Sequence, residues 1–108
     1  MSWDIELVID TGGDSPACVD VVGNMTWNVS PMYYDALGDD GLRQLDGMLS
    51  RDAITILKHA IKKMEDNPDH YRAMNPKNRW GNYEGALEFL RKLLNSCIKH
   101  PKTTIRIY

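Results

Sequence analysis

The strongest apolar stripe in the chain lies near its end, and it limits what the chain can fold into. Apolar side chains recur there at helical spacing: Tyr83, Ala86, Leu87, Leu90, Leu93, Leu94 and Cys97. Asn82 is placed to cap this helix, and Pro101 ends it. Because such a helix buries only one face, the chain must supply a second layer to cover that face.

Alternating patterns at both ends of the chain predict that this second layer is a sheet. Trp3, Ile5, Leu7 and Ile9 alternate with other residues in the period of a half-buried strand. The turn-rich segment 11–16 then predicts a hairpin, with a second strand over about 17–22. Thr103, Ile105 and Ile107 predict a third strand, which we expect to pair with the first and leave it in the centre.

The segment between the second and third predicted strands has the residue patterns of helices. Ser30 followed by Pro31 is a typical helix start, and Gly38 is a typical stop. Ser50 is placed to cap a long amphipathic helix, and Pro68 to open a short one over about 68–74. The sequence therefore predicts a single α+β domain over residues 1–108. Its small three-stranded sheet, antiparallel or mixed, follows the order β-β-α-α-α-β and is packed by two long helices.

Composition excludes several classes of function. Lys and Arg total 13 and Asp and Glu total 15, for a formal net charge of −2. This balance gives no reason to expect a nucleic-acid partner, since such binding depends on neutralising phosphates. The chain contains no apolar run of the roughly 18 residues that span a membrane, and no signal-peptide pattern. We therefore expect a cytoplasmic protein with no membrane partner.

Short polar residues alternate just before the first helix. In an extended chain Asn24, Thr26 and Asn28 would share one face, with Ser30 at the adjoining helix start. Two interpretations stay open. These side chains either satisfy the backbone of the strand-to-helix junction, or form a ligand cradle completed by the free N–H groups of the helix.

The segment 74–83 combines turn-forming residues with aromatic ones and predicts an ordered corner between two helices. Either Trp80 fills the edge of the core, or Trp80 and Tyr83 stack on a flat ligand while Arg79 and the amides supply polar contacts. The candidate ligand-binding residues here are Asn75, Asn78, Arg79, Trp80 and Tyr83.

The two motifs together carry a resemblance. Asn24-x-Thr26-x-Asn28, the corner with Trp80-Gly81, and the ending Cys97-x-x-His-Pro101 resemble a family of small uncharacterised bacteriophage and bacterial proteins. The resemblance implies a phage or prokaryotic origin, and it suggests that the two motifs form one unit. It implies no activity. The family's corner reads Asn-Gly-Trp-Gly, and Arg79 stands at the first Gly. If that Gly serves a positive φ, either Arg79 tolerates strain or the turn differs.

No residue pattern indicates a catalytic, metal or cofactor site. His59, His70 and His100 are isolated from one another, and no metal-ligand spacing is present. Cys18 and Cys97 are expected to be packed, reduced thiols. No Ser lies in a nucleophile-elbow context.

The sequence favours a small non-enzymatic binding protein, with no cofactor. It would recognise a polar or nucleotide-like small molecule, or a host protein, and through it interfere with a host system. Two alternatives are a small hydrolase or nuclease, and a structural homodimer supported by the corner.

Overall fold

A three-stranded antiparallel sheet forms one layer of the protein, which is described here from a computed structural model of all 108 residues. The strands are β1 (Ser2–Ile9), β2 (Ala17–Thr26) and β3 (Thr104–Ile107), and their order in the sheet is β2-β1-β3. The predicted pairing of the last strand with the first, and the central position of β1, are therefore confirmed.

Four α-helices follow the hairpin: α1 (Ser30–Leu37), α2 (Ser50–Asp66), α3 (Pro68–Arg72) and α4 (Tyr83–Lys99). Short 3-10 helices at Trp27–Val29 and Gly41–Leu45 flank α1. The fold is the expected α+β domain, with one short helix more than the predicted order. None of the helices combines the length and hydropathy needed to cross a bilayer.

The core lies between one face of the sheet and the two long helices. β1 contributes alternate buried side chains to it, Trp3, Ile5 and Leu7. The predicted stripe of α4 is buried against α2, with Leu90 and Leu93 fully enclosed. A single cluster of 25 buried residues results. Burying one large aliphatic side chain of this cluster contributes about 1.5–3 kcal/mol to the free energy of folding. Burial of the cluster is therefore the main favourable contribution to folding.

The two outer strands of the sheet differ in how their edges are covered. The loop before α2 covers β3, because Gly47 N donates to Ile105 O at 2.8 Å and Ile105 N donates to Met48 O at 2.9 Å. No strand pairs with the outer edge of β2, which runs four residues beyond its predicted end at Val22. The sheet therefore has one open edge.

Two predicted helix caps are wrong. Ser30 is the first residue of α1, and its hydroxyl donates to Trp27 O and does not accept an N–H. Ser50 is likewise the first residue of α2, and it is fully buried. Its Oγ lies 2.7 Å from Thr103 Oγ1, so it ties the helix to the segment before β3. Asn82 caps α4 as predicted, since its Oδ1 accepts from Gly85 N at 2.7 Å.

Candidate functional site

The two sequence motifs meet at Gly81. A Cβ added to this glycine would lie 2.7 Å from Thr26 Cγ2 and 2.8 Å from Val29 Cγ1. Real Cβ atoms essentially never lie this close to another heavy atom, so a larger residue would force Thr26 or Val29 to shift. The φ of Gly81, +94°, also favours glycine. The corner between α3 and α4 is thereby pressed against the end of β2.

Side-chain hydrogen bonds fix the rest of the corner. Asn75 Oδ1 accepts from Tyr83 N at 2.8 Å, which joins the start of the corner to the start of α4. Asn78 Oδ1 accepts from Trp80 N at 3.0 Å in an Asx turn. Arg72 Nε donates to Glu84 Oε1 at 2.9 Å and bridges α3 and α4. The side-chain oxygens of Asn75 and Asn78 thus accept hydrogen bonds from the backbone of the corner.

Arg79 has the left-handed backbone conformation that the glycine of the family motif suggested. Its φ is +64°, the only positive φ in the chain outside glycine. A non-glycine residue held there costs of the order of 1–3 kcal/mol, and such strain persists where the surroundings impose it. The Arg79 guanidinium takes part in none of the ion pairs of the protein.

Trp80 does not fill the edge of the core. It is 71% exposed, the most exposed aromatic side chain of the protein. None of the five best-formed cavities is lined by a residue of the segment 74–83. Trp80 therefore lies exposed on a tightly held corner, outside these cavities.

Tyr83 belongs to the core and presents no free face to a ligand. It is 4% exposed, and its hydroxyl donates to Met64 O at 2.7 Å. The Tyr71 ring stacks against it with centroids 6.1 Å apart, and the Arg72 guanidinium lies 5.2 Å from the ring centroid. Of the two corner aromatics proposed to stack on a ligand, only Trp80 is accessible.

The side chains of Asn24, Thr26 and Asn28 do not share one face. Asn24 lies on β2, where its Nδ2 donates to Asp4 Oδ1 and Ser2 Oγ, both at 2.9 Å, so it belongs to the outer face of the sheet. Thr26 Oγ1 accepts from both nitrogens of Asn28, at 3.3 Å from the backbone and 3.0 Å from the side chain. Thr26 thereby caps the 3-10 helix that ends β2. These contacts match the junction interpretation, and they leave no shared cradle.

A separate pocket is walled by aromatic rings. It has a volume of about 140 Å³ and lies where the start of β1 meets α1 and the second 3-10 helix. Its lining comprises Trp3, Trp27, Ser30, Tyr33, Tyr34, Asp40, Gly41, Leu42 and Arg43. Of the predicted site residues, only Ser30 lines it.

Asp35 joins three helices through a compact polar cluster. Its carboxylate accepts from Tyr71 OH at 2.7 Å and lies 2.9 Å from His70 Nε2. Lys63 Nζ donates to the Asp35 carbonyl at 2.9 Å and lies 3.5 Å from the carboxylate. The hydrogen bonds from His70 and then Tyr71 lower the pKa of Asp35.

The two cysteines differ. Cys97 is fully buried, and burial raises the pKa of its thiol to about 11. Cys18 lies exposed on β2, so the expectation that both are packed is wrong for it. Desolvation, followed by the neighbouring Glu6 carboxylate, raises the pKa of the Cys18 thiol. Both thiols are free.

Sequence reasoning missed the aromatic pocket and the Asp35 cluster because their members come from separate elements. Asp40 and Trp3 are far apart in the sequence, as are Asp35 and His70. The adjacent pair Tyr33-Tyr34 in a short helix was an available signal, since one of two neighbours on a helix faces outward. Comparisons with protein-family models, with curated proteins and with solved structures found no match to this chain.

Proposed function

We propose that the protein is a non-enzymatic binding protein that docks onto another protein through the corner at Arg79 and Trp80. The observation that carries this proposal is the exposure of Trp80, 71%, on a segment fixed at both ends. Tryptophan and arginine dominate the binding energy of protein interfaces. An exposed pair of them on a rigid turn loses little conformational freedom on binding.

The lack of a cavity at the corner favours a protein partner over a small molecule. Small ligands bind in concave sites that cover most of their surface, and no well-formed cavity includes Arg79 or Trp80. A projecting tryptophan instead suits a pocket on another protein. Together with the family resemblance, this makes a host protein of the bacterial cytoplasm the partner class we propose.

Backbone strain at Arg79 supports the same function. A glycine would occupy φ +64° without cost, yet the chain carries an arginine with no acidic partner. Strained residues concentrate where function requires a particular side chain. The guanidinium beside an exposed indole fits a partner with an acidic or carbonyl-rich rim around an apolar pocket.

The test uses immobilised protein and bacterial lysate, with Trp80→Ala, Arg79→Gly and the control Tyr108→Ala. Tyr108 is another exposed aromatic residue, outside the corner. A protein retained by wild type and Tyr108→Ala, and lost from Trp80→Ala, is then purified for calorimetric titration. We expect Trp80→Ala to weaken its binding at least about 30-fold, as losing 2 kcal/mol or more implies. Arg79→Gly keeps the turn and tests the guanidinium alone. Equal retention by Trp80→Ala and wild type would refute the proposal.

The Asp35–His70 pair is the one arrangement that favours the alternative of a hydrolase. Such a pair can orient a general base, but it needs a nucleophile or water site beside it. The hydroxyl group in contact with Asp35 belongs to Tyr71, which is fully buried. None of the five cavities is lined by Asp35 or His70. The cluster therefore fits a structural brace better than a catalytic centre.

A further inference from the structure

We propose that the aromatic pocket binds an alkylated ammonium group, such as the trimethylammonium head of choline. This proposal is independent of the corner, since no residue of the segment 74–83 lines the pocket. It assigns a second, small-molecule site, and neither Asp35 nor its partners Lys63, His70 and Tyr71 line the pocket.

Four aromatic rings form the walls. Trp3 and Tyr33 are buried and form the floor, while Trp27 and Tyr34 are partly exposed at the mouth. Tyr33 OH donates to Ala86 O at 2.9 Å, which fixes its ring. The Tyr34 ring lies against the backbone of Gly41, because a Cβ added to Gly41 would be 3.1 Å from Tyr34 Cδ1. The walls are thus held in place without a ligand.

The angles between the rings favour a compact head group over a flat ring. Trp3 and Trp27 are inclined by 39° with centroids 6.1 Å apart, and Trp3 and Tyr33 by 53° at 5.8 Å. Such converging walls do not form the parallel slot that a nucleobase needs for stacking on both faces. The centroid distances are those of rings in contact, so a ligand would rest against the inclined aromatic surfaces that line the pocket and would not enter between them. Aromatic surfaces around a compact cation are the arrangement that binds quaternary ammonium ions.

The volume of the pocket limits the size of the ligand group that it can enclose. At about 140 Å³ the pocket resembles a cavity of roughly 150 Å³ that accommodates benzene. Sites for whole drug-sized ligands begin at about 300 Å³. The pocket therefore encloses one head group, and the remainder of the ligand projects through the mouth. A whole nucleotide is too large to be enclosed here.

Charge at the mouth favours a cation. Asp40 lines the pocket and takes part in no ion pair, and Asp39 lies next to it. Arg43, the one basic residue in the lining, has Asp46 Oδ2 4.0 Å from its Nη1, which partly compensates its charge. Asp39, Asp40 and Asp46 thus outnumber Arg43 around the pocket, and this local negative charge attracts an ammonium group.

The test is an NMR titration of the intact protein with choline chloride, beside the uncharged carbon isostere in which a tert-butyl group replaces the trimethylammonium group. We expect saturable shifts of the Trp27 indole signal with choline and at least about tenfold weaker binding of the isostere, because only the cation gains cation–π energy. Equal binding of the two compounds would mean an unselective apolar pocket and would refute the proposal. Absence of saturable choline binding at tens of millimolar would also refute it.

Variants locate the site. Asp40→Asn should weaken choline binding up to about fivefold, the upper range for an exposed charge pair. Tyr34→Leu should weaken it about tenfold, and because Tyr34 is 53% exposed this variant should fold. Tyr108→Leu, outside the pocket, is the control and should bind as wild type does. Wild-type affinity in both Asp40→Asn and Tyr34→Leu would overturn the assignment.

Discussion

Arg79 shows how one residue can carry a conformational cost within an otherwise relaxed chain. Its φ of +64° places it where side chains other than those of Gly, Asn and Asp are uncommon. The neighbouring contacts, Asn78 with the Trp80 N–H and Gly81 with Thr26, leave the turn little freedom to avoid this conformation. The strain is therefore imposed by the corner and offset by the core beneath it.

Replacing Arg79 tests this strain directly. We expect Arg79→Gly to be more stable than Arg79→Ala by about 1 kcal/mol, since Gly tolerates the left-handed region while Ala retains the cost there. Both variants remove the guanidinium, so charge effects cancel in the comparison. Urea unfolding measures the difference, and equal midpoints would contradict the assignment of strain.

Gly81 is the residue on which the meeting of the two motifs depends. We expect Gly81→Ala to cost about 3 kcal/mol, because the added Cβ overlaps Thr26 and Val29 and the positive φ adds its own penalty. Gly12→Ala is the matched control. Gly12 has a similar φ of +81° but no atom within 4 Å of an added Cβ, so only the conformational cost of about 1 kcal/mol applies. Thermal unfolding of the two variants should separate them clearly, whereas similar losses would mean that the close approach relaxes at no cost.

At the level of elements, the Asp35 cluster ties α1 to α2 and α3. Lys63 comes from α2, and His70 and Tyr71 come from α3. The packing of α3 against α2 is sparse, so the brace helps to orient α3 against the long helix. It also holds α3 in place before the corner begins.

The lowered pKa of Asp35 makes this brace sensitive to acid. Because the folded pKa lies below the unfolded value of about 3.9, the stabilisation is present above that value and is lost as the pH falls through the folded pKa. We expect Asp35→Asn to cost about 1 kcal/mol at neutral pH, a modest figure because the site is largely solvated. The stability difference between wild type and variant should shrink below about pH 4.

Free energies of unfolding in urea between neutral and acidic pH measure this convergence. Asp39→Asn, which removes an exposed carboxylate outside the ion pairs, is the control and should give a profile parallel to that of wild type. A constant gap between Asp35→Asn and wild type down to pH 3 would show that the carboxylate does not titrate as described.

Helices and strands could be predicted from the sequence where the pattern that indicates them lies within neighbouring residues. The stripe of α4 and its cap at Asn82 need only neighbouring residues, and both were confirmed. The alternation of β1 was confirmed for Trp3, Ile5 and Leu7. It was wrong for Ile9, which is exposed beyond a shift in the strand register. The predicted caps at Ser30 and Ser50 failed because the hydroxyl groups bond elsewhere: Ser30 to Trp27 O in the preceding 3-10 turn, and Ser50 to Thr103 Oγ1 across the fold. Propensity at a helix start gives way to such contacts.

The candidate site was harder to predict, because it depends on which surface each side chain reaches. Tyr83 belonged both to the apolar stripe and to the aromatic corner, and burial against Tyr71 decided between them. The contact of Gly81 with Thr26 joins residues far apart in sequence, so no local pattern indicates it. The exposure of Trp80 also runs against the usual burial of tryptophan.

On the scale of the whole molecule, the two thiols report on different parts of the structure. We expect Ellman's reagent to label Cys18 in the folded protein and to reach Cys97 only when the core opens, since Cys97 is fully buried. In Cys18→Ser, labelling of Cys97 should follow global unfolding and accelerate in urea. Glu6→Gln should speed the labelling of Cys18, because it removes a carboxylate that raises the thiol pKa.

Comparable labelling rates for Cys97 and Cys18 in native buffer would mean that α4 separates from the sheet locally. That outcome would contradict a single continuous core. Mass spectrometry of the labelled protein assigns each rate to its residue and makes the two cases distinguishable.

The strand order β2-β1-β3 also sets the sequence of events by which the chain acquires its structure. β1 pairs with β2 across a short turn, but its other neighbour, β3, does not begin until Thr104. During synthesis the ribosome must therefore release the chain through β3 before both edges of the central strand are paired, and closing so long a loop slows that step. Until then the nascent hairpin exposes two unpaired backbone edges to other chains, so cellular chaperones should contribute to the yield of this protein.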